Sequence, residues 1–264
     1  MKTFLKNRSL IKVSGPDSEV FLQSQFSNDI KSINEKKIQI NAYCQHQGKI
    51  IALIWVLNDG HNYFLSIPTE LKEIVLLKLN MFKLMSNVLF EDVSEVMYQY
   101  GLILEGNDMS YQITNNLSLF VSKEPLISDI DNSQWEIACV NDFLPEVYFN
   151  LSEKFVPHSL NLDVNEMGVS FTKGCYPGQE VIARMHYLGK PKRRIFRFSS
   201  KYETYIGDSL DVNNSKSLKS SGQVIRVAKE NNVFFFLGVF EVNHIHDQIF
   251  LNNDQNKVVC LTHE

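Results

Sequence analysis

The feature that most constrains the fold is an unbroken apolar octet, Ile50-Ile51-Ala52-Leu53-Ile54-Trp55-Val56-Leu57. A strand with one wet face alternates apolar and polar residues, whereas one covered on both faces reads as a continuous run. The octet therefore predicts a central strand. Asn58-Asp59-Gly60 follows it as a hairpin turn signal, and Tyr63-Phe64-Leu65-Ser66-Ile67 supplies the returning strand.

Around this hairpin the spacing predicts a helix from about Asp17 to Ile30, with Pro16 at its start and Leu22 and Phe26 on one face. A second helix is expected from a Thr69 cap, burying Leu71, Ile74, Val75, Phe82 and Met85. Strands are expected at Gln99–Leu104, Leu117–Ser122 and Gln134–Val140. Strands and helices mix without a regular parallel repeat, which gives an α+β class. After Lys192 the texture changes: Ile195–Phe198, Gln223–Ala228, Val233–Val242, Gln248–Leu251 and Val258–Leu261 are short strand candidates between polar turns. They predict a small antiparallel barrel. A chain of 264 residues, 44% hydrophobic, is long enough for two units, expected here as 1–192 and 193–264.

The basic stretch Met1–Arg8 leads into no apolar segment of the signal type, and no apolar run approaches the roughly 18 residues needed to cross a bilayer. No membrane association and a cytoplasmic location are expected. The four cysteines, Cys44, Cys139, Cys175 and Cys260, show no Cys-x-x-Cys pair and no zinc-type Cys/His spacing. Buried inert thiols are the default reading. No metal site is expected from this chain alone.

Cys175 has different surroundings. In Lys173-Gly174-Cys175-Tyr176-Pro177-Gly178-Gln179-Glu180, two glycines and a proline impose a turn, and the residues from Gln179 to His186 have the composition of a helix start. Backbone N–H groups at a helix N-terminus favour an anion, and so favour the thiolate. Between Lys173 and Arg197 stand Lys173, Arg184, Lys190, Lys192, Arg193, Arg194 and Arg197 against one acid, Glu180, in a chain of net charge −4. Such a concentration predicts an anionic partner beside the thiol. Glu180 and Arg184, four apart, can equally pair along a helix. His158 or His186 could serve Cys175 as a base.

The string from Lys173 to Glu180, preceded by Phe155-Val156-Pro157-His158-x-x-Asn161-Leu162 and followed by Ala183-Arg184 and Gly189-x-x-Lys192-Arg193, resembles the YgfZ family. Near the amino terminus, Ser14-Gly15-Pro16-Asp17-Ser18-Glu19-x-Phe21-Leu22-Gln23-x-Gln25-x-Ser27-Asn28-Asp29 and Ala42-Tyr43-Cys44-x-x-x-Gly48-Lys49 are similar to that family's first helix and first hairpin. The family is similar in fold to the aminomethyltransferase (T protein) of the glycine cleavage system. The resemblance implies a folate-binding α+β region, a C-terminal β-barrel, and tetrahydrofolate in a central hole.

On this resemblance Cys175 is the reactive thiol; Gly174, Tyr176, Gly178, Gln179 and Glu180 complete the motif; and Trp135 contacts folate. Lys173 and Arg184 are the cationic candidates for the cofactor. A second folate-associated tryptophan of the family falls on Arg8. The aspartate pair of true aminomethyltransferases falls on Ala52 and Leu53, neither of which can act as acid or base. The implied role is an accessory protein for iron–sulfur enzymes, tRNA-thiolating enzymes among its clients, with an indirect effect on tRNA modification. A folate-dependent one-carbon transferase using Cys175, or an RNA-binding module using the basic 190–197 cluster, are the alternatives.

Overall fold

The computed structural model describes residues 1–104, 109–213 and 220–263. Its central element is the apolar octet: Ile50 to Leu57 are each at most 2% exposed. They form strand β4 (Ile50–Asn58) of a five-stranded antiparallel sheet, with β2 (Arg8–Ser14), β3 (Gln39–Cys44), β5 (Tyr63–Pro68) and β6 (Leu89–Asp92) in the order β3-β4-β5-β2-β6. A second sheet, in the order β1-β7-β9-β8, comprises β1 (Lys2–Phe4), β7 (Tyr98–Ile103), β8 (Ser110–Gln112) and β9 (Leu117–Ser122).

The third sheet closes on itself. Strands β10 (Arg193–Ser200), β11 (Ser209–Val212), β12 (Gly222–Glu230), β13 (Val233–Glu241), β14 (Ile249–Leu251) and β15 (Asp254–His263) form a barrel in the order β10-β13-β12-β11-β14-β15. Closure removes the exposed sheet edge. Phe198, Phe236 and Phe240 fill its interior. Other barrel residues, among them Ile195, Ile225, Leu237 and Val239, join the main core instead, which therefore runs continuously across the 192–193 junction. The α+β class and the antiparallel C-terminal barrel expected from sequence are both observed.

Three local expectations are corrected. Gln134–Val140 is not a strand but part of helix α3 (Asn132–Asn141), because Asp131 caps it by accepting from the amides of Ser133 and Gln134. Its buried face carries Trp135, Cys139 and Val140. The first helix, α1 (Ser18–Gln25), stops well short of Ile30. Phe26 turns extended and bridges Tyr43, and the Ser27 amide donates to the Ala42 carbonyl, so tertiary pairing takes over. Helix α2 (Lys72–Phe82) is preceded by a 3-10 turn at Thr69–Leu71 and has no side-chain cap. It buries Val75 and Leu79, while Phe82 and Met85 face solvent.

Candidate functional site

The Cys175 loop connects the layered α+β region to helix α4 (Gln179–Leu188), and both of its ends are fixed. At the entry, the Lys173 ammonium is buried and donates to three carbonyls, those of Gln23 (2.6 Å), Phe26 (2.5 Å) and Asn28 (3.0 Å). These carbonyls lie where α1 unravels, so the ammonium satisfies acceptors that a helix end leaves orphaned. Burial pushes Lys173 down to about 8. Its Nζ also lies 5.1 Å from the centroid of the Tyr176 ring. Tyr176 is itself 6% exposed, and burial pushes its hydroxyl up.

At the exit, Gly178 takes φ +84° as the residue before α4. A Cβ there would stand 2.6 Å from the Gln45 carbonyl oxygen and 2.7 Å from the Gly48 Cα. The hairpin turn joining β3 and β4 thus packs directly on the loop, with Ile182 buried beneath it. Between these anchors Gly174 has open space around it and Cys175 is exposed. The Gln179 side-chain amide reaches the Lys173 carbonyl at 3.4 Å. Cys44 and Cys139 are buried, and burial raises both thiols; Cys260 is the other exposed one. Among the described residues no hydrogen bond joins Cys175 to His158 or His186.

The basic cluster separates into structural and free members. Arg193 pairs with Glu241 at 3.0 Å, Arg194 with Asp163, and Arg197 donates to the Asn141 side chain at 3.1 Å. Arg184 pairs with Glu180 at 2.6 Å on the exposed face of α4, an arrangement worth only about 0.2–0.5 kcal/mol. Lys190 and Lys192 remain without an ion pair among the described residues. With Arg184 and Arg193 they rim a cleft of about 700 Å³ along α4, whose walls include Val156, Val181, Met185, Leu188 and Pro191.

Whether the residues present suit a folate depends on where it is sought. At the junction of the two sheets, α3 and the barrel, Arg8 pairs with Glu146, donates to Ser66 and lies 3.7 Å over the Trp55 ring. Arg226 from the barrel pairs with Glu136 at 2.9 Å and donates to the Leu144 carbonyl. All four charged side chains are nearly inaccessible to solvent. Desolvation lowers Arg8 and raises Glu146, while at Arg226 desolvation is outweighed by Cys139, Glu136, Tyr148 and Glu146, which hold it well above the ordinary arginine range.

Charge pairs occupy this junction, and Trp135 is sealed at 1% exposure with its ring on Gly101, where a Cβ would come within 2.6 Å of it. Lys173 has no donor left over. Of the three cofactor candidates, Arg184 alone reaches a cleft. That cleft does fit the chemistry: apolar walls for a flat ring and cations for an anionic tail.

One further grouping leaves no signal in the sequence. His158, Asp163 and His186 place one ligand-type atom each within 4.8 Å of one another. Separations of five and twenty-three residues match no ligand motif, and only the packing of α4 on the turn at Pro157–Leu160 unites them. Burial lowers the pKa of the His158 imidazole.

No family model matches the chain. Curated relatives do. The chain is 29% identical over 226 residues to the tRNA-modifying protein YgfZ of Colwellia psychrerythraea, covering 73% of this chain and 69% of that protein. It is 25% identical to the protein of the same name from Buchnera aphidicola subsp. Baizongia pistaciae, with 99% and 94% covered. An uncharacterized Haemophilus influenzae protein is 26% identical, with 95% and 88% covered. In fold, the chain is similar over its whole length to the glycine cleavage system aminomethyltransferase T from Bartonella henselae, with TM-score 0.71, 11% identity and 84% of that chain covered.

Proposed function

We propose that this YgfZ-family chain is a folate-binding accessory protein for the assembly or repair of iron–sulfur clusters, working through Cys175. Its effect on tRNA modification would be indirect, through client enzymes such as those that thiolate tRNA. The observation that carries this reading is an exposed thiol held between two buried anchors, Lys173 and Gly178, at the head of a helix lined by an apolar, cation-rimmed cleft. A thiol used only in packing would be buried, as Cys44 and Cys139 are. The names of the relatives support a link to tRNA modification.

In this reading Arg184, Lys190 and Lys192 would meet the carboxylates of a tetrahydrofolate, and Val181, Met185 and Leu188 would face its apolar part. When bound, that group supplies ring nitrogens able to carry a one-carbon unit. The chain itself supplies the binding cleft, excludes water from the apolar wall and holds the thiol at the mouth of α4. A glycine-cleavage reaction is disfavoured, because Ala52 and Leu53 are fully buried in the middle of β4 and offer no proton-transfer group. Direct RNA binding is also less favoured, since Arg193, Arg194 and Arg197 are already engaged within the fold.

Calorimetric titration with tetrahydrofolate tests the cofactor assignment. Wild type, Cys175→Ser and Trp135→Phe are expected to bind alike, and the double variant Arg184→Ala/Lys192→Ala to bind at least tenfold more weakly. Absence of binding by the wild type would remove folate from the account, and a loss confined to Trp135→Phe would move the site to the central junction.

A further inference from the structure

The His158–Asp163–His186 cluster plays no part in the function proposed above, yet it has the composition of a metal-binding site. His158 is wholly buried, and neither of its ring nitrogens has a hydrogen-bond partner. A neutral imidazole carries one N–H donor and one acceptor, so an unaccompanied buried ring forfeits two interactions that water would have supplied. The buried cations Lys173 and Arg8 both find acceptors. The His158 ring lacks a partner at both nitrogens, and its ligand atom lies within 4.8 Å of a second imidazole and a carboxylate.

The other two ligand-type groups are already oriented. Asp163 is held by both guanidinium nitrogens of Arg194, at 2.9 Å for the Nη2–Oδ2 contact, and the same guanidinium donates to the His158 carbonyl at 2.9 Å. One cation thus ties carboxylate and histidine turn together from the outer side, the position a supporting partner of a ligating carboxylate occupies. His186 is exposed, but its ring stacks on Phe171 at 3.7 Å and 18°, which fixes its plane.

From this geometry we propose that His158, Asp163 and His186 bind one divalent transition-metal ion. Two imidazoles with one carboxylate suit zinc, iron(II), cobalt or nickel rather than magnesium or calcium, which prefer all-oxygen shells. Bonds of about 2.0–2.2 Å bring ligand atoms to within about 4 Å of one another, so the cluster has to close slightly. That movement falls to His186, the exposed member. Three protein ligands leave a coordination position open, so the ion could hold water or a further ligand.

The test is titration of the chelator-treated full chain with cobalt(II), followed by visible absorption, with zinc(II) in competition. Wild type is expected to bind one equivalent, with d–d bands and no sulfur-to-cobalt charge-transfer band. His186→Ala, an exposed substitution that leaves the core intact, is expected to lose more than the roughly 10–100-fold that removal of an outer-sphere partner costs. His244→Ala, which removes a surface histidine outside the cluster, is expected to bind as wild type does. No stoichiometric binding, equal binding by His186→Ala, or a thiolate charge-transfer band would each overturn the assignment.

Discussion

Gly178 and Gly48 meet backbone to backbone: a Cβ on Gly178 would lie 2.7 Å from the Cα of Gly48. Two glycines 130 positions apart in the sequence thus hold the Cys175 loop against the β3–β4 turn. Gly178→Ala carries two penalties, since φ +84° is a conformation that L side chains rarely adopt and the new methyl meets the Gln45 carbonyl. The expected destabilisation in urea unfolding is more than about 2 kcal/mol. Gly174→Ala, with open space around it, is expected to stay within about 0.5 kcal/mol of wild type. Equal effects of the two substitutions would show that the loop is not anchored as described.

Arg8 stands where the resembling family's second tryptophan is expected, and the fold accommodates it with Glu146. Arg8→Met leaves a buried carboxylate without its partner, expected to cost about 3–5 kcal/mol. Arg8→Met/Glu146→Met removes both charges and is expected to recover most of that loss, because an apolar pair of similar volume avoids the desolvation of two ions. Chemical denaturation of Arg8→Met, Glu146→Met and the double variant gives the coupling. Strict additivity would contradict a paired site.

The Lys173 ammonium gives a pH dependence of definite sign. Its folded value of about 8 lies below that of a free lysine, which is about 10.4. Between these limits the unfolded chain holds the additional proton, so this one group makes stability rise with pH across that window. Below about pH 8 both states are protonated and the contribution is flat. Thermal unfolding of wild type and Lys173→Met from pH 7 to 10 should show a more positive slope in the wild type above pH 8. Parallel curves would contradict the assignment.

Much of the fold was legible because its strongest signals are local. The octet reads as a doubly covered strand, and Leu117–Ser122 is a strand within the bounds expected for it. The barrel strands follow their turn residues, although the four residues of β11 are too few for a legible pattern. The failures came where tertiary contacts or a cap outweighed periodicity: Asp131 makes a helix of the Trp135 segment, and Ser27 leaves α1 early to pair with Ala42. At the site, the Cys175 string was plain in the sequence. What it could not display was which cations are already consumed, for that depends on Glu241, Asp163 and Asn141, far away in sequence. Nor could spacing reveal that Trp135 turns its ring onto Gly101.

The central claim, that Cys175 is the working group, is tested most directly by measuring thiolated tRNA in a deletion strain of the source organism carrying wild type, Cys175→Ser or Cys260→Ser. Both substitutions are at exposed cysteines, so neither is expected to disturb folding, and equal protein levels by immunoblot check this. The account predicts restoration by wild type and Cys260→Ser and no restoration by Cys175→Ser. Full restoration by Cys175→Ser would contradict it.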